Sequence, residues 1–353
     1  MANKIRVLIV DDSFLMRKII SDIVSSDANF EVVGKAKDGK DALDKVFTLN
    51  PDVVTLDINL PVIDGLEVLK EVIQKQPTRV IMISAHTQKG ASATMLALEL
   101  GAVDFISKPS GEISLDIRKL KSEIISKIRM AAQIDLGKLL STLTRPTVSK
   151  PDLRQKLPQI KKLVVIGAST GGPKAILKVL ENVSIDVPAA FLIVQHMPEG
   201  FTLSFAERIS WQSKIKAKEA EQGDIISSGK VYVAPAGSHM VIKRLSPRDG
   251  NLLVVELNRN APVNYVRPSI DVTMQSAAEA FCPNVVGVIL TGMGKDGLEG
   301  AKTIKQKGGV IIAQDEDTSV VWGMPKMVAN EGLADIILPL HKISAAIIQN
   351  IER

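Results

Sequence analysis

The chain reads as an α/β protein, two doubly wound parallel sheets joined by a basic linker. Three observations predict this. Short apolar runs alternate with segments of helical spacing in both halves, the pattern of strands joined by crossover helices. The residues able to do chemistry fall where those apolar runs end, the rim on which parallel sheets bind their ligands. Between the halves lies a stretch without sustained periodicity that carries Pro146, Pro151 and Pro158 among Ser, Thr and cations. Such a composition reads as a partly extended linker. The boundaries are therefore set at residues 1–130 for the first domain, 131–160 for the linker and 161–353 for the second domain.

In the first block IRVLIV (5–10) is a run of buried-strand type, and Ser13 to Ser25 has helical spacing. FEVVGKA (30–36) is a second strand and Gly39 to Leu49 a second helix. DVVTLDI (52–58), RVIMISA (79–85) and DFISK (104–108) are three further strands, with helices at 65–75 and 90–100. Asp11 and Asp12 directly follow the first strand, and Asp57 ends the third. Ser84 ends the fourth, and Lys108, followed by Pro109, ends the fifth. Three carboxylates on one rim repel one another unless a cation neutralises them. A small hard ion such as Mg²⁺ suits oxygen ligands of this kind, and a neighbouring lysine suits a phosphoryl oxygen. The plainer alternative, that Asp11 and Asp12 only cap the next helix, does not account for the whole set of five.

This constellation resembles the receiver domain of two-component response regulators, on VDDS at 10–13, Asp57 of LDINLP, Ser84 of ISA and the Lys-Pro at 108–109. The resemblance covers nearly all of residues 4–128. It implies a flavodoxin-like, five-stranded parallel fold. It further implies that Asp57 accepts a phosphoryl group from a histidine kinase. Asp11, Asp12, Asp57 and the backbone carbonyl of Asn59 would hold Mg²⁺, and Lys108 would contact the phosphate. Ser84 and Phe105 would be the hydroxyl and the aromatic of the switch.

The second block opens with LVVIGASTGGPKAI (163–176). Gly167-Ala168-Ser169-Thr170-Gly171 fits G-x-S-x-G between a strand and a helix, which suits a nucleophile elbow. Locally the same residues also suit a phosphate-cradling turn or a purely structural one. They match neither a Walker A loop nor G-x-G-x-x-G. A serine nucleophile needs a base, best a histidine held by a carboxylate. His196 ends the apolar run FLIVQH (191–196), and His239 follows VYVAPAGSH as a less favoured candidate. For the acid, Asp296 follows VVGVILTGMGK, and Asp271 in RPSID competes with it. Gly292 and Gly294 beside Asp296 are read as freeing backbone N–H groups for a developing oxyanion. The order Ser, His, Asp differs from those of the better-known triad folds.

IGASTGGP (166–173), QHMPEGFT (195–202), VRPSID (266–271), ILTGMGKDG (289–297) and VWGMPK (321–326) resemble, in order, the catalytic domain of chemotaxis protein-glutamate methylesterases, the CheB family. This resemblance spans about residues 160–348. It implies a doubly wound, Rossmann-like esterase domain with Ser169 as nucleophile, His196 as base and Asp296 as orienting carboxylate. The Met293 N–H would be the oxyanion donor, with Thr170 beside the nucleophile. The implied substrates are methyl-accepting chemoreceptors, with glutamine deamidation as a second reaction. No cofactor is implied for the ester chemistry. An unphosphorylated receiver would block the esterase. Glu199 departs from the family, which usually has a second proline there.

Composition narrows the alternatives. Aromatics are 3% of residues, a poor supply for stacking single-stranded nucleic acid. The net charge of +5 is concentrated between Gly137 and Lys162, where seven Lys/Arg face one acid, and the rest of the chain is close to neutral. No broad nucleic-acid face is expected from that distribution. Cys282 is the only cysteine, so no internal disulfide forms, and it is expected to be buried. No apolar run reaches the ~18 residues that would span a bilayer. The expected location is the cytoplasm, without membrane insertion.

Overall fold

The computed structural model describes residues 4–84, 88–108, 113–137, 160–245 and 252–352. Ala85, Pro109 and most of the expected linker, 138–159, lie outside them. The chain falls into two compact units, Met1–Thr144 and Arg145–Arg353.

In the first unit the strands are β1 (Ile5–Val10), β2 (Phe30–Ala36), β3 (Val53–Asp57), β4 (Arg79–Ser84) and β5 (Asp104–Ser107). Between and after them run α1 (Phe14–Ser25), α2 (Gly39–Leu49), α3 (Gly65–Lys75), α4 (Gln88–Leu100) and α5 (Ile113–Gln133). All strand pairs are parallel, in the order β2-β1-β3-β4-β5. A sheet covered on both faces needs apolar side chains on both, and Val7 to Val10 and Ile81 to Ile83 are accordingly buried. Each such Val, Leu or Ile contributes roughly 1.5–3 kcal/mol on leaving water. The helix starts are written locally: Asp38 Oδ1 accepts from Asp41 N at 2.9 Å and Asp64 Oδ1 from Leu66 N at 2.9 Å. Ser13, not Asp11 or Asp12, caps α1, accepting from Met16 N at 3.4 Å.

In the second unit β6 (Lys162–Ala168), β7 (Ala189–Gln195), β8 (Lys216–Glu219), β9 (Lys230–Val233), β12 (Val285–Ile289), β13 (Val310–Gln314) and β14 (Ile336–Leu338) form one sheet. Its order is β14-β13-β12-β6-β7-β9-β8, with every pair parallel. The helices are α6 (Gly172–Leu180), α7 (Phe201–Gln212), α8 (Ile270–Phe281), α9 (Leu298–Gln306), α10 (Met324–Asn330) and α11 (Leu340–Glu352). In VYVAPAGSH the strand β9 stops at Val233, before Pro235 and Gly237. After that turn β10 (His239–Arg244) pairs antiparallel with β11 (Leu253–Asn258), outside the main sheet. The hairpin is tied to α8 by Thr273 Oγ1 to Met240 O at 2.7 Å and Ile242 N to Ser276 Oγ at 3.0 Å. Cys282 is half-buried at the end of α8 rather than fully enclosed.

Candidate active site

From β6 the chain proceeds through β7 to β9 on one side and through β12 to β14 on the other. The reversal lies between β6 and β12, the point where doubly wound sheets open a crevice at the carboxyl ends of their strands. Ser169 follows β6, His196 follows β7, and the loop Thr291–Asp296 follows β12. The ends are tied together through the backbone. Ser169 N donates to Thr291 O at 3.0 Å, and His196 N to Ala168 O at 3.2 Å.

Two glycines make this packing possible. Gly171, at φ 75°, turns the chain from the serine into α6, and Pro173 starts that helix. Gly292 lies so close to the serine that a Cβ there would meet Ser169 Cβ at 2.7 Å and Met324 Sδ at 2.7 Å. Met293, the next residue, is 54% exposed. The Gly292 N–H is not left open for an oxyanion as expected, because it donates to Val321 O at 3.0 Å. Thr170 is buried, and its carbonyl accepts from Thr291 Oγ1 at 3.0 Å.

His196 Nε2 lies 2.8 Å from Asp296 Oδ2. That contact takes one ring nitrogen and leaves Nδ1 for a serine proton. Ser169 is half-buried, and its hydroxyl makes no hydrogen bond among the described residues. Nucleophile and base contacts commonly tighten only with substrate in place.

Asp296 is buried and well supplied with donors. It accepts from Ser269 Oγ at 2.7 Å, Ile270 N at 2.7 Å, Asp271 N at 3.2 Å and Asn264 Nδ2 at 3.1 Å. Burial alone would raise its pKa. The hydrogen bond and charge of His196, with the backbone donors at the start of α8, outweigh burial and hold it at about 2. An ionised carboxylate can therefore fix the imidazole and stabilise its protonated form.

The competing acid, Asp271, does other work. Its carboxylate accepts from Gly297 N at 2.9 Å and Gly300 N at 2.8 Å, capping α9. The two acids thus cap each other's helices, Asp296 that of Asp271 and Asp271 the one after Asp296. Burial and the charge of Asp296 raise Asp271 to about 6. His239, the less favoured base, is buried in a structural role. Ser269 N donates to its Nδ1 at 3.2 Å, and its Nε2 faces Ala261 O at 3.2 Å. Burial lowers its pKa. Exposed Glu199 points at the β9–β10 turn, where a Cβ on Gly237 would fall 2.2 Å from Glu199 Oε1.

Sequence reasoning overlooked Gln195 and Asn264. Gln195 Nε2 donates to Ser169 O at 2.8 Å and His196 O at 3.1 Å, one amide gripping both chain segments. A buried glutamine directly before the histidine was the available signal. For Asn264 the sequence carried none, since its partners are distant along the chain.

The acidic rim of the first unit assembles as expected. Asp11, Asp12 and Asp57 bring one carboxylate oxygen each within 4.8 Å of the others. Lys108 Nζ lies 2.8 Å from Asp57 Oδ2 and 2.9 Å from Asp11 Oδ2. Burial, more than offsetting Lys108, raises the Asp57 pKa; Lys108 is also raised, its burial outweighed by the bond to Asp57. Asp11 Oδ2 receives no well-directed hydrogen bond although it is buried, so its contact with Lys108 is ionic and a lone pair stays open. An orphaned carboxylate oxygen beside two more acids fits a hard divalent cation. Ser84 Oγ donates to Gly90 O at 3.2 Å, and the buried Phe105 ring lies 5.2 Å from Lys127 Nζ.

Residues 164–347 match the family model described as CheB methylesterase. The chain belongs to this family. Residues 7–118 match the response regulator receiver domain, so this family member joins a receiver to a methylesterase domain. A protein-glutamate methylesterase/protein-glutamine glutaminase of Pyrococcus horikoshii is 45% identical over 358 residues, covering 100% of this chain and 95% of its own length. The protein of the same description from Thermotoga maritima is 45% identical over 347 residues, covering 98% of each. Among solved structures, the CheB methylesterase catalytic domain of Thermotoga maritima matches with a TM-score of 0.52 at 44% identity, over 53% of this chain and 97% of that one.

Proposed function

We propose that this protein is a phosphorylation-activated serine esterase that hydrolyses glutamate γ-methyl esters on chemoreceptors and serves adaptation in chemotaxis. The observation that carries the reading is the His196–Asp296 pair at 2.8 Å, set at the sheet's switch point beside Ser169.

Ser169 Oγ attacks the ester carbonyl while His196 Nδ1 takes its proton. The tetrahedral oxyanion is held by the Met293 N–H beside Thr170. Collapse breaks the C–O bond, and His196 returns the proton to methanol. Water, deprotonated by the same imidazole, then attacks the acyl-enzyme and releases Ser169 and the glutamate. A primary amide follows the same path with ammonia leaving, so receptor glutamines are a second substrate. Asp296 keeps the imidazole in one tautomer throughout.

The receiver, residues 1–130, supplies the control, and the linker 131–160 connects it to the esterase, 161–353. Asp57 accepts the phosphoryl group from a chemotaxis histidine kinase. Asp11, Asp12, Asp57 and the Asn59 carbonyl would hold Mg²⁺, which neutralises charge on the transferring phosphoryl group when bound. Lys108 contacts the phosphoryl oxygens, and Ser84 and Phe105 respond to the added charge. The esterase chemistry uses no cofactor. The substrates are the cytoplasmic portions of receptors, which places the protein in the cytoplasm. No helix among the described residues is long and apolar enough to cross a membrane.

The test is methanol release from radiolabelled, methylated receptor membranes with and without acetyl phosphate and Mg²⁺. Wild type releases methanol, and faster with acetyl phosphate. Ser169→Ala releases none, and release persisting in that variant would overturn the nucleophile.

A further inference from the structure

Asn264 and Tyr265 occupy the centre of a two-residue hairpin turn closed by Val263 N to Val266 O at 3.2 Å and Val266 N to Val263 O at 3.0 Å. Both have positive φ, 53° and 65°, the requirement of a type I′ turn. Glycine or asparagine fits such positions easily, whereas a bulky side chain in the left-handed region is strained. Tyr265 takes that strained conformation with its side chain wholly exposed. Asn264 turns its side chain inward. Its amide nitrogen lies 2.8 Å from Asp271 Oδ2 and 3.1 Å from Asp296 Oδ1.

The geometry assigns Asn264 as a positioning residue for the esterase reaction, which sets Asp296, and through it His196, by bridging two buried carboxylates with one amide. The assignment rests on the triad reading of Ser169, His196 and Asp296. Its logic is one of donors. An NH₂ group has two hydrogens, and here each meets a different carboxylate. Reversing the amide would set its oxygen against both acids, so only one orientation suits the site. Glycine would allow the backbone but carry no donor, and aspartate would add a third like charge. Of the residues that tolerate left-handed φ, asparagine alone supplies both the turn and the bridge.

The bridge acts on the oxygen of Asp296 that His196 does not use. Oδ2 meets the imidazole, while Oδ1 accepts from Asn264, Ser269 Oγ and Asp271 N. Without the amide, Asp296 loses one of its fixing donors, and the repulsion from Asp271 acts unrelieved. The titratable and charged groups around this pair are His196 on Asp296, and His239, which interacts with Asp296 and has Arg267 as a neighbouring charge. A less neutralised Asp296 attracts the imidazolium more strongly, so the base gives up its proton only at higher pH.

Asn264→Gly tests this, since it keeps the turn and deletes the amide. Against methylated receptor membranes, kcat falls roughly tenfold to a hundredfold, the scale of one lost hydrogen bond to a charged group. KM stays near the wild-type value, and the acid limb of the pH–rate profile moves to higher pH. Independently of any substrate, the His196 ring-proton resonances titrate at higher pH in Asn264→Gly than in wild type. Tyr265→Gly, in the same turn with the amide retained, keeps wild-type kcat. Unchanged kcat and an unmoved His196 titration in Asn264→Gly would overturn the assignment. So would an equal kcat loss in Tyr265→Gly, since the loss would then belong to the turn. Failure of wild type to release methanol would count against the esterase reading, while the His196 titration still decides the role of Asn264.

Discussion

At the scale of single residues, the electrostatics turn on two buried acids with opposite shifts. Asp296 is held at about 2 and Asp271 raised to about 6. One ion faces an imidazole and several N–H donors; the other has the first ion as a neighbour. Asp296→Asn keeps the shape but presents an amide to His196 and removes the charge that orients it. Steady-state kinetics on methylated receptors are expected to show kcat lower by about 10³–10⁴-fold, the scale of carboxylate loss in serine triads. The pH dependence of stability has a definite sign. A carboxyl depressed from 3.8 to about 2 stabilises the fold above its unfolded value, and that stability is lost as pH falls from 3.8 through about 2. The term is on the order of 2 kcal/mol. Acid-unfolding midpoints compared between wild type and Asp296→Asn read it directly, the variant lacking this share of the acid sensitivity.

At the scale of elements, the site is made by strand ends and the tight turns after them. Gly292 sets the distance between the loop after β12 and the serine after β6. Gly292→Ala would force a methyl group to 2.7 Å from Ser169 Cβ. Because Met324 closes the other side, the loop has no free direction to retreat. The expected outcome is a loss of 1–3 kcal/mol, as for overpacking elsewhere, together with loss of most esterase activity. Thermal denaturation and methanol release on the same preparation check both. The reciprocal capping of α8 by Asp296 and α9 by Asp271 also belongs here. It makes the acid proposed for the triad part of the helix packing, set between the starts of α8 and α9.

At the scale of the whole molecule, two parallel sheets carry two chemistries, each at its own switch point. In the receiver the reversal between β1 and β3 gathers Asp11, Asp12 and Asp57; in the esterase the reversal between β6 and β12 gathers Ser169, His196 and Asp296. The division predicts separable variants. Asp57→Asn removes the proposed phosphoacceptor and leaves every residue of the second unit in place. Its methanol release is expected to lose the rise with acetyl phosphate and Mg²⁺ while retaining the rate seen without them. Stimulation of Asp57→Asn to the wild-type level would show that the phosphoryl group acts elsewhere.

The sequence by itself determined the fold class and the rims on which the candidate site residues fall. Strand and helix periods differ, and in a parallel sheet every strand end faces one rim, so Asp11 and Asp12 after IRVLIV and Asp57 at the end of VVTLD had to share one rim, and Ser169 after KLVVIGA and His196 after AAFLIVQ the rim of the other sheet. Local rules placed β1, β2, α2 and α3 at the expected residues. Tertiary structure decided what depends on distant partners. Position alone could not choose Asp296 over Asp271, since both precede or open a helix; the resemblance favoured Asp296, and it is the carboxylate that the imidazole reaches. Position could not reveal that the Gly292 N–H is spent on Val321, or that β10 leaves the sheet to pair with β11. Nor could it find Asn264, whose meaning lies in two carboxylates 7 and 32 residues away. Hydrogen-bond partners at such separations are set by how helices and strands pack, and no local pattern encodes them.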